Sequence, residues 1–342
     1  VAVSRDNENV GAGGGTLRAN SAEGLRLRAR ILDGFGRGDV AFRLLTQGAA
    51  VLVIILLGGV FVSLIQGALP AIQQYGFGFL TSQHWNPASD PPNFGGLPAI
   101  YGTLVTSAIA MLIAVPIGVG IAVFLTELCP IRLRRPIGTA VELLAGVPSI
   151  IYGIWGLFVF APFLQKTLQP WLIAACGHVP LLSNLFAGPP YGIGIFTAGL
   201  VLSIMVIPFV CAISRDVFDT VPAVNKEAAY GLGCTKWEVV KNVVIPHTRT
   251  GILGGVMLGL GRALGETMAV TFVIGNAHHI RASLLSPGTS ISATIANEFT
   301  EADKGLYTSS LFLLALILFV ITFIILAIAR YMLMRIERRQ GS

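Results

Sequence analysis

The chain has 342 residues, 54% hydrophobic and only 12% charged, with a formal net charge of +6 and a mean hydropathy of +0.76. Soluble domains carry about 25% charged residues, so a water-soluble globule is excluded and an all-α integral membrane protein is implied. The surplus of positive charge would suggest nucleic acid in a soluble protein. Here membrane topology accounts for it, and no nucleic-acid partner is expected.

Residues 1–23 are rich in Gly and Asn and nearly devoid of large apolar groups, so disorder is expected there. Residues 24–47 mix Leu, Ile and Phe with Arg. Two readings stay open for them: a basic interfacial helix on an anionic leaflet, or a solvated tail with a topogenic charge cluster. No apolar region comes early in the first 47 residues, so no cleavable signal peptide is expected. Six apolar stretches follow, near 48–68, 101–126, 137–164, 191–213, 250–274 and 309–331. Each is close to the ~20 residues that cross a bilayer. The first two enclose an aromatic, Pro- and Gly-rich loop whose Tyr75 and Trp85 suit an interface or a docking surface. The loop around 165–190 is apolar enough for a short re-entrant or surface helix. Pro116, Pro148 and Pro208 are expected to kink their helices. The chain thus divides into an N-terminal tail over 1–45, a first span with its external loop over 46–100, a membrane core over 101–332 and a C-terminal tail over 333–342.

With both termini inside, seven basic residues fall in the N-terminal tail, three at Arg132, Arg134 and Arg135, five from Arg215 to Arg249 and four from Arg330 onward. Only Lys166, Arg281 and Lys304 fall outside, and Arg262 lies within the membrane. This is the positive-inside pattern, and it places both termini in the cytoplasm.

The loop 214–250 is too long for a plain connection. Good helix formers around Glu227, Ala228 and Ala229 run to a Gly stop at Gly233. A second helix then starts at Thr235, with Glu238 at capping-box spacing, and Pro246 is expected to end it before the membrane. On spacing alone, either a compact cytoplasmic knob or an amphipathic loop resting on the bilayer fits. The composite Glu227-Ala228-Ala229, x3, Gly233, x9, Val243, x, Ile245-Pro246 resembles the EAA motif of ABC importer permeases, EAA-x3-G-x9-I-x-L-P, with two conservative departures. Residues 142–157 and 259–276 narrow the likeness to the permease subunits of phosphate importers, PstC type, over roughly 48–335. The resemblance implies a six-transmembrane-helix type I permease of a bacterial plasma membrane. Its EAA loop would be a coupling helix docking on an ATPase subunit. It implies as partners two ATPase subunits, a second permease of PstA type and an external phosphate-binding protein. ATP and Mg would be bound by the ATPases, since the chain has no Walker A pattern and no hydrolase signature. It would therefore be a non-catalytic subunit without cofactor or metal of its own.

Arg262 and Glu266 are four apart, which in one continuous helix puts them on one face. Arg before Glu is the weaker order for stabilising a helix, and a mid-membrane charge costs several kcal/mol. A guanidinium offers five donors suited to bidentate phosphate contact. Glu266 can accept a hydrogen bond from protonated phosphate, whereas fully deprotonated sulfate has no proton to give. The alternative is that the two side chains neutralise each other. Gly251, Gly255 and Gly259, and again Gly261 and Gly265, recur every four residues, for tight helix packing or for a hinge. Glu142 is either an interface residue or part of the translocation path.

His278 and His279 form no metal site alone, because Glu298, Glu301 and Asp303 lie far along the loop. The polar stretch 283–299 is either a contact for a binding protein or an ordinary external loop with a short helix. Cys129, Cys176, Cys211 and Cys234 show no ligand spacing, and no disulfide is expected. A permease for arsenate or another tetrahedral oxyanion stays open. An ion-gradient-driven secondary transporter would need a repeat pair of broken helices. A scaffold or sensor would need no intramembrane Arg.

Overall fold

Within lipid every backbone amide must find its partner inside the protein, which leaves helices as the economical solution for a chain this apolar. The computed structural model describes residues 13–177, 179–302 and 305–340. It divides into two compact units, Val1–Ser63 and Leu64–Ser342. Helix α1 (Gly13–Tyr75) begins in the first and ends in the second. From Asp39 to Ser63 its aliphatic side chains are exposed on nearly every face, as a helix surrounded by acyl chains requires. Residues 13–23 are helical, where composition led us to expect disorder. Leu17, Arg18, Ala19 and Glu23 are good helix formers, and extending a helix is far easier than nucleating one. Residues 1–12, the rest of that expectation, lie outside the described residues.

In the second unit α1 leads to a single turn, α2 (Gly78–Thr81), and to an antiparallel ribbon of β1 (Trp85–Asn86) and β2 (Asn93–Phe94). Helix α3 (Leu97–Val123) continues through a π turn to Leu128, and α4 (Ile131–Ala145) follows. Next come α5 (Ser149–Trp155), α6 (Ala161–Phe163) and α7 (Gln169–Cys176), joined by π turns into one rod, and then α8 (Pro180–Leu185). Beyond these lie α9 (Ile195–Asp219), α10 (Ala223–Gly231), α11 (Lys236–Val239), α12 (Ile245–Gly265), α13 (Met268–Ile274), α14 (Ile291–Glu298) and α15 (Leu306–Gln340). Six helical segments among the described residues are long and apolar enough to cross a membrane: Asp39–Tyr75, Leu97–Leu128, Ser149–Cys176, Ile195–Asp219, Lys236–Gly265 and Leu306–Arg335. The four cysteines are free.

The third span is displaced from the expected 137–164. Pro148 cannot donate a backbone hydrogen bond and disfavours helix in the residue before it, so the chain leaves α4 at Gly146 and re-enters at Ser149. Pro148 therefore separates two helices instead of kinking one, while Pro116 and Pro208 do lie inside α3 and α9. The fifth span is displaced as well. It starts at Lys236, in the loop, and stops at Gly265, well short of residue 274.

Helix α9 is the axis of the second unit and packs against α3, α4, α12 and α13. Its Ala198, Leu202, Met205, Val206 and Val210 are buried with Ala110 and Ala114 of α3 and with Val270, Val273 and Ile274 of α13. The polar stretch 283–294 is largely buried. Its carbonyls accept from the N–H groups of Ile195 (at Ser286 O, 3.3 Å) and Phe196 (at Leu284 O, 2.9 Å), donors that the first turn of α9 would otherwise leave unpaired. Thr103 of α3 in turn accepts from the N–H of Ile291 at 2.9 Å. This stretch is thus part of the core and not a surface loop.

Candidate functional site

Helix α12 meets α9 along a stripe of glycines. A Cβ on Gly251 would lie 2.4 Å from Val217, on Gly255 2.9 Å from Ile213 and on Gly259 3.1 Å from Val210. Gly261 would meet only Leu326, at 3.8 Å, and Gly265 nothing within 4 Å. Arg262 continues the packed stripe by one turn, and its guanidinium lies over the Phe209 ring of α9, 4.3 Å from the centroid. Its Nε is buried and has no hydrogen-bond partner among the described residues.

Glu266 does not share a helix face with Arg262. Helix α12 ends at Gly265, Glu266 has extended backbone (φ −70°, ψ 131°), and a new helix starts at Met268. Gly265 has no Cβ to favour continued helix. Glu266 Oε1 accepts weakly from the N–H of Ala269, at 3.4 Å, instead of meeting the guanidinium. Among the described residues Arg262 has no ion-pair partner, so mutual neutralisation is not the arrangement adopted. Nothing in the sequence marked Phe209 as its support, because that contact joins two helices through their packing register.

The 220–246 loop folds as its local pattern dictates. Helix α10 ends in a Schellman motif: Cys234 N–H donates to Ala229 O (3.1 Å), Gly233 N–H donates to Tyr230 O (2.9 Å), and Gly233 holds φ +86°. Thr235 and Glu238 form the reciprocal capping box that opens α11. Pro246 does not end the second helix. A π turn over Val240–Val244 precedes it, and Pro246 sits in the first turn of α12, where its missing N–H is tolerated. Glu227 and Ala228 are exposed, whereas Ala229 is buried. Ala228 and Pro246, from the two ends of the motif, line one cavity with Asn225, Asn242 and Val243. Around them Val224, Leu232 and Trp237 stand in the open, at 71%, 87% and 66% exposure. Lys226 ties α10 to Glu127 at the end of the α3 rod, at 2.5 Å.

Glu142 is exposed on α4 and pairs with Arg215 of α9, a contact the sequence did not suggest. Gly138 makes room for it, since a Cβ there would lie 2.8 Å from Arg215 Nη1.

At the end of α14, Glu298 gathers three side-chain partners. Trp85 Nε1 (2.7 Å) and the Tyr307 hydroxyl (2.9 Å) donate to Oε2, and His278 Nε2 pairs with Oε1 at 2.9 Å. The Trp85 and His278 rings stack, 5.3 Å apart. Glu298, distant from His278 in the chain, is adjacent in space. Trp85 points inward onto this cluster, and with it the loop's Phe79 and Phe94 are core residues.

Residues 114–338 match the family described as binding-protein-dependent transport system inner membrane component. The chain is 66% identical over 308 residues to the phosphate transport system permease protein PstC of Mesorhizobium japonicum, covering 90% of this chain and 94% of that one. It is 55% identical over 324 residues to PstC of Pasteurella multocida, covering 95% and 98%. In fold it resembles a subunit of a bacterial ABC transporter that imports the acidic polysaccharide alginate, with a TM-score of 0.58 at 16% identity over 90% of this chain and 99% of that one. A six-span helical bundle with this architecture is a type I importer permease, and the chain belongs to the binding-protein-dependent transport system inner membrane component family.

Proposed function

We propose that this chain is the permease subunit of an ATP-driven inorganic phosphate importer and forms half of its translocation path. The reading is carried by the likeness to PstC proteins over at least nine-tenths of the chain, with the family match spanning both the docking loop and Arg262. Arg262 is the group on which phosphate is received. Its guanidinium stays charged, is held by an aromatic face and is committed to no carboxylate, so its donors are available to an oxyanion. Glu266, at the break between α12 and α13, accepts a hydrogen bond from the P–OH that protonated phosphate carries and sulfate lacks.

Glu227, Ala228, Ala229, Gly233 and Pro246 shape the coupling element that docks on an ATPase subunit. Both chain termini lie in the cytoplasm of a bacterial cell, so that element faces the nucleotide. A second permease of PstA type completes the path, two ATPase subunits bind ATP and Mg, and an external phosphate-binding protein delivers the substrate. This chain holds no cofactor or metal and catalyses no reaction itself. Gly251, Gly255 and Gly259 let α12 ride closely on α9, so that movement of the coupling element reaches Arg262 along one rigid rod.

The test is uptake by the reconstituted complex. Phosphate entry that requires ATP is the expected result. Entry driven by a proton gradient without nucleotide would replace the reading with a secondary transporter. Intact subunit contacts with no uptake under either condition would replace it with a scaffold, and uptake of arsenate but not phosphate with a permease for another oxyanion.

A further inference from the structure

Helix α4 has three faces. Arg134, Gly138 and Val141 turn towards the bundle, Leu133, Ala140 and Leu144 form an exposed apolar stripe, and Arg132, Arg135, Thr139 and Glu142 form an exposed polar one. The polar stripe lines a cavity of about 810 Å³ together with Arg215 and Asp219 of α9. Arg134 is matched by Asp219, and Arg215 by Glu142. Arg132 and Arg135 have no ion pair or hydrogen bond among the described residues. The lining therefore carries an uncompensated charge of two, on exposed side chains that converge on one space. The α9 face that carries Arg215 is not the face on which α12 packs, since Val206, Val210, Ile213 and Val217 meet the α12 glycines.

We propose that this cavity is a second binding site for a phosphate group, separate from Arg262. Arg132 and Arg135 make the contacts, and the two internal ion pairs fix the walls. A dianionic or monoanionic phosphate oxygen set relieves the repulsion between two neighbouring guanidinium groups and accepts charge-assisted hydrogen bonds from both. Gly138 belongs to the same construction, because a Cβ there would lie 2.8 Å from Arg215 Nη1 and the guanidinium would have to shift on its way to Glu142. Free inorganic phosphate and the head group of an anionic lipid present the same chemistry. The cavity takes either on this argument, which stands independently of the phosphate-import reading.

The site is read by the alkylation rate of Thr139→Cys in the full transporter complex held in phosphatidylcholine nanodiscs. Peptide mass spectrometry separates this position from the four native cysteines. In one arm inorganic phosphate is titrated. In the other, no phosphate is added and phosphatidylglycerol replaces part of the lipid. Slower labelling in the first arm identifies free phosphate as occupant, and in the second the lipid head group. In either case Arg132→Gln/Arg135→Gln is expected to raise the half-protecting concentration about tenfold or more, and Arg132→Lys/Arg135→Lys to retain part of the protection. Unchanged labelling in both arms, or protection that survives the Gln pair, would overturn the site. Because labelling and not uptake is measured, neither result bears on whether the complex imports phosphate.

Discussion

A guanidinium in a helix bundle is accounted for by its surroundings, and Arg262 has unusually few that favour it. Its charge costs several kcal/mol at membrane depth, and the Phe209 ring returns about 1–2 kcal/mol. Retaining it works against stability, which argues that its benefit arises when an anion is present. Arg262→Gln is therefore expected to leave expression, thermal stability and subunit association unchanged or improved while abolishing phosphate uptake. A stable, assembled variant with normal uptake would remove Arg262 from the path. Glu298 is the opposite case, a carboxylate whose value lies in its protein partners. Glu298→Gln replaces one acceptor oxygen by a donor, leaving Trp85, Tyr307 or His278 short of a partner. Losing one such bond at a partly buried site costs about 1–3 kcal/mol. Faster hydrogen exchange confined to residues 82–96 and 276–280, with the rest of the bundle unchanged, is the expected reading.

Between elements, the decisive quantity is how closely backbones approach. In α3, a Cβ on Gly102 would lie 1.8 Å from the carbonyl oxygen of Thr289, whereas one on Gly120 would meet nothing within 4 Å. Gly102→Ala should force the 286–290 segment off α3 and lower the thermal transition of the purified protein clearly. Gly120→Ala should leave it unchanged or raise stability by about 0.5–1 kcal/mol through the backbone entropy of glycine. The same contrast separates what could be read from the chain. The Schellman end at Gly233 and the capping box at Thr235 and Glu238 were legible because their bonds span only a few residues. The third span was misplaced because averaging hydropathy over 137–164 hides the single missing donor at Pro148. The break after Gly265 falls where Gly265, Glu266 and Thr267 interrupt the apolar run, but spacing alone left the glycines open between tight packing and a hinge. The burial of 283–294 and the meeting of His278 with Glu298 depend on partners that the chain supplies from distant helices, and no local pattern announces them.

For the whole molecule, the proposed coupling requires that a movement made at the 220–246 loop reach Arg262. Lys236–Gly265 is one continuous helical rod, about 45 Å long at 1.5 Å per residue. It carries the loop proposed to dock on an ATPase subunit at one end and Arg262 near the other. Such a rod transmits a push without any chain of discrete rearrangements. The exposed Val224, Leu232 and Trp237 around Glu227 form the sort of apolar patch that soluble surfaces avoid unless a partner covers it. Among the described residues Glu227 makes no hydrogen bond or ion pair, so reversing its charge should leave insertion and the fold untouched. With Glu227→Arg we expect the second permease to co-purify as before. Phosphate uptake should fall by about tenfold or more, in keeping with the loss of a charged contact at a subunit interface. ATP hydrolysis by the complex should no longer rise when phosphate-loaded binding protein is added. The pair of measurements discriminates, because on the proposed roles damage at Arg262 should stop uptake while leaving the ATPases docked, whereas failure at Glu227 should sever hydrolysis from the binding protein. Coupled uptake at the normal rate in the Glu227→Arg complex would show that the force enters the bundle elsewhere.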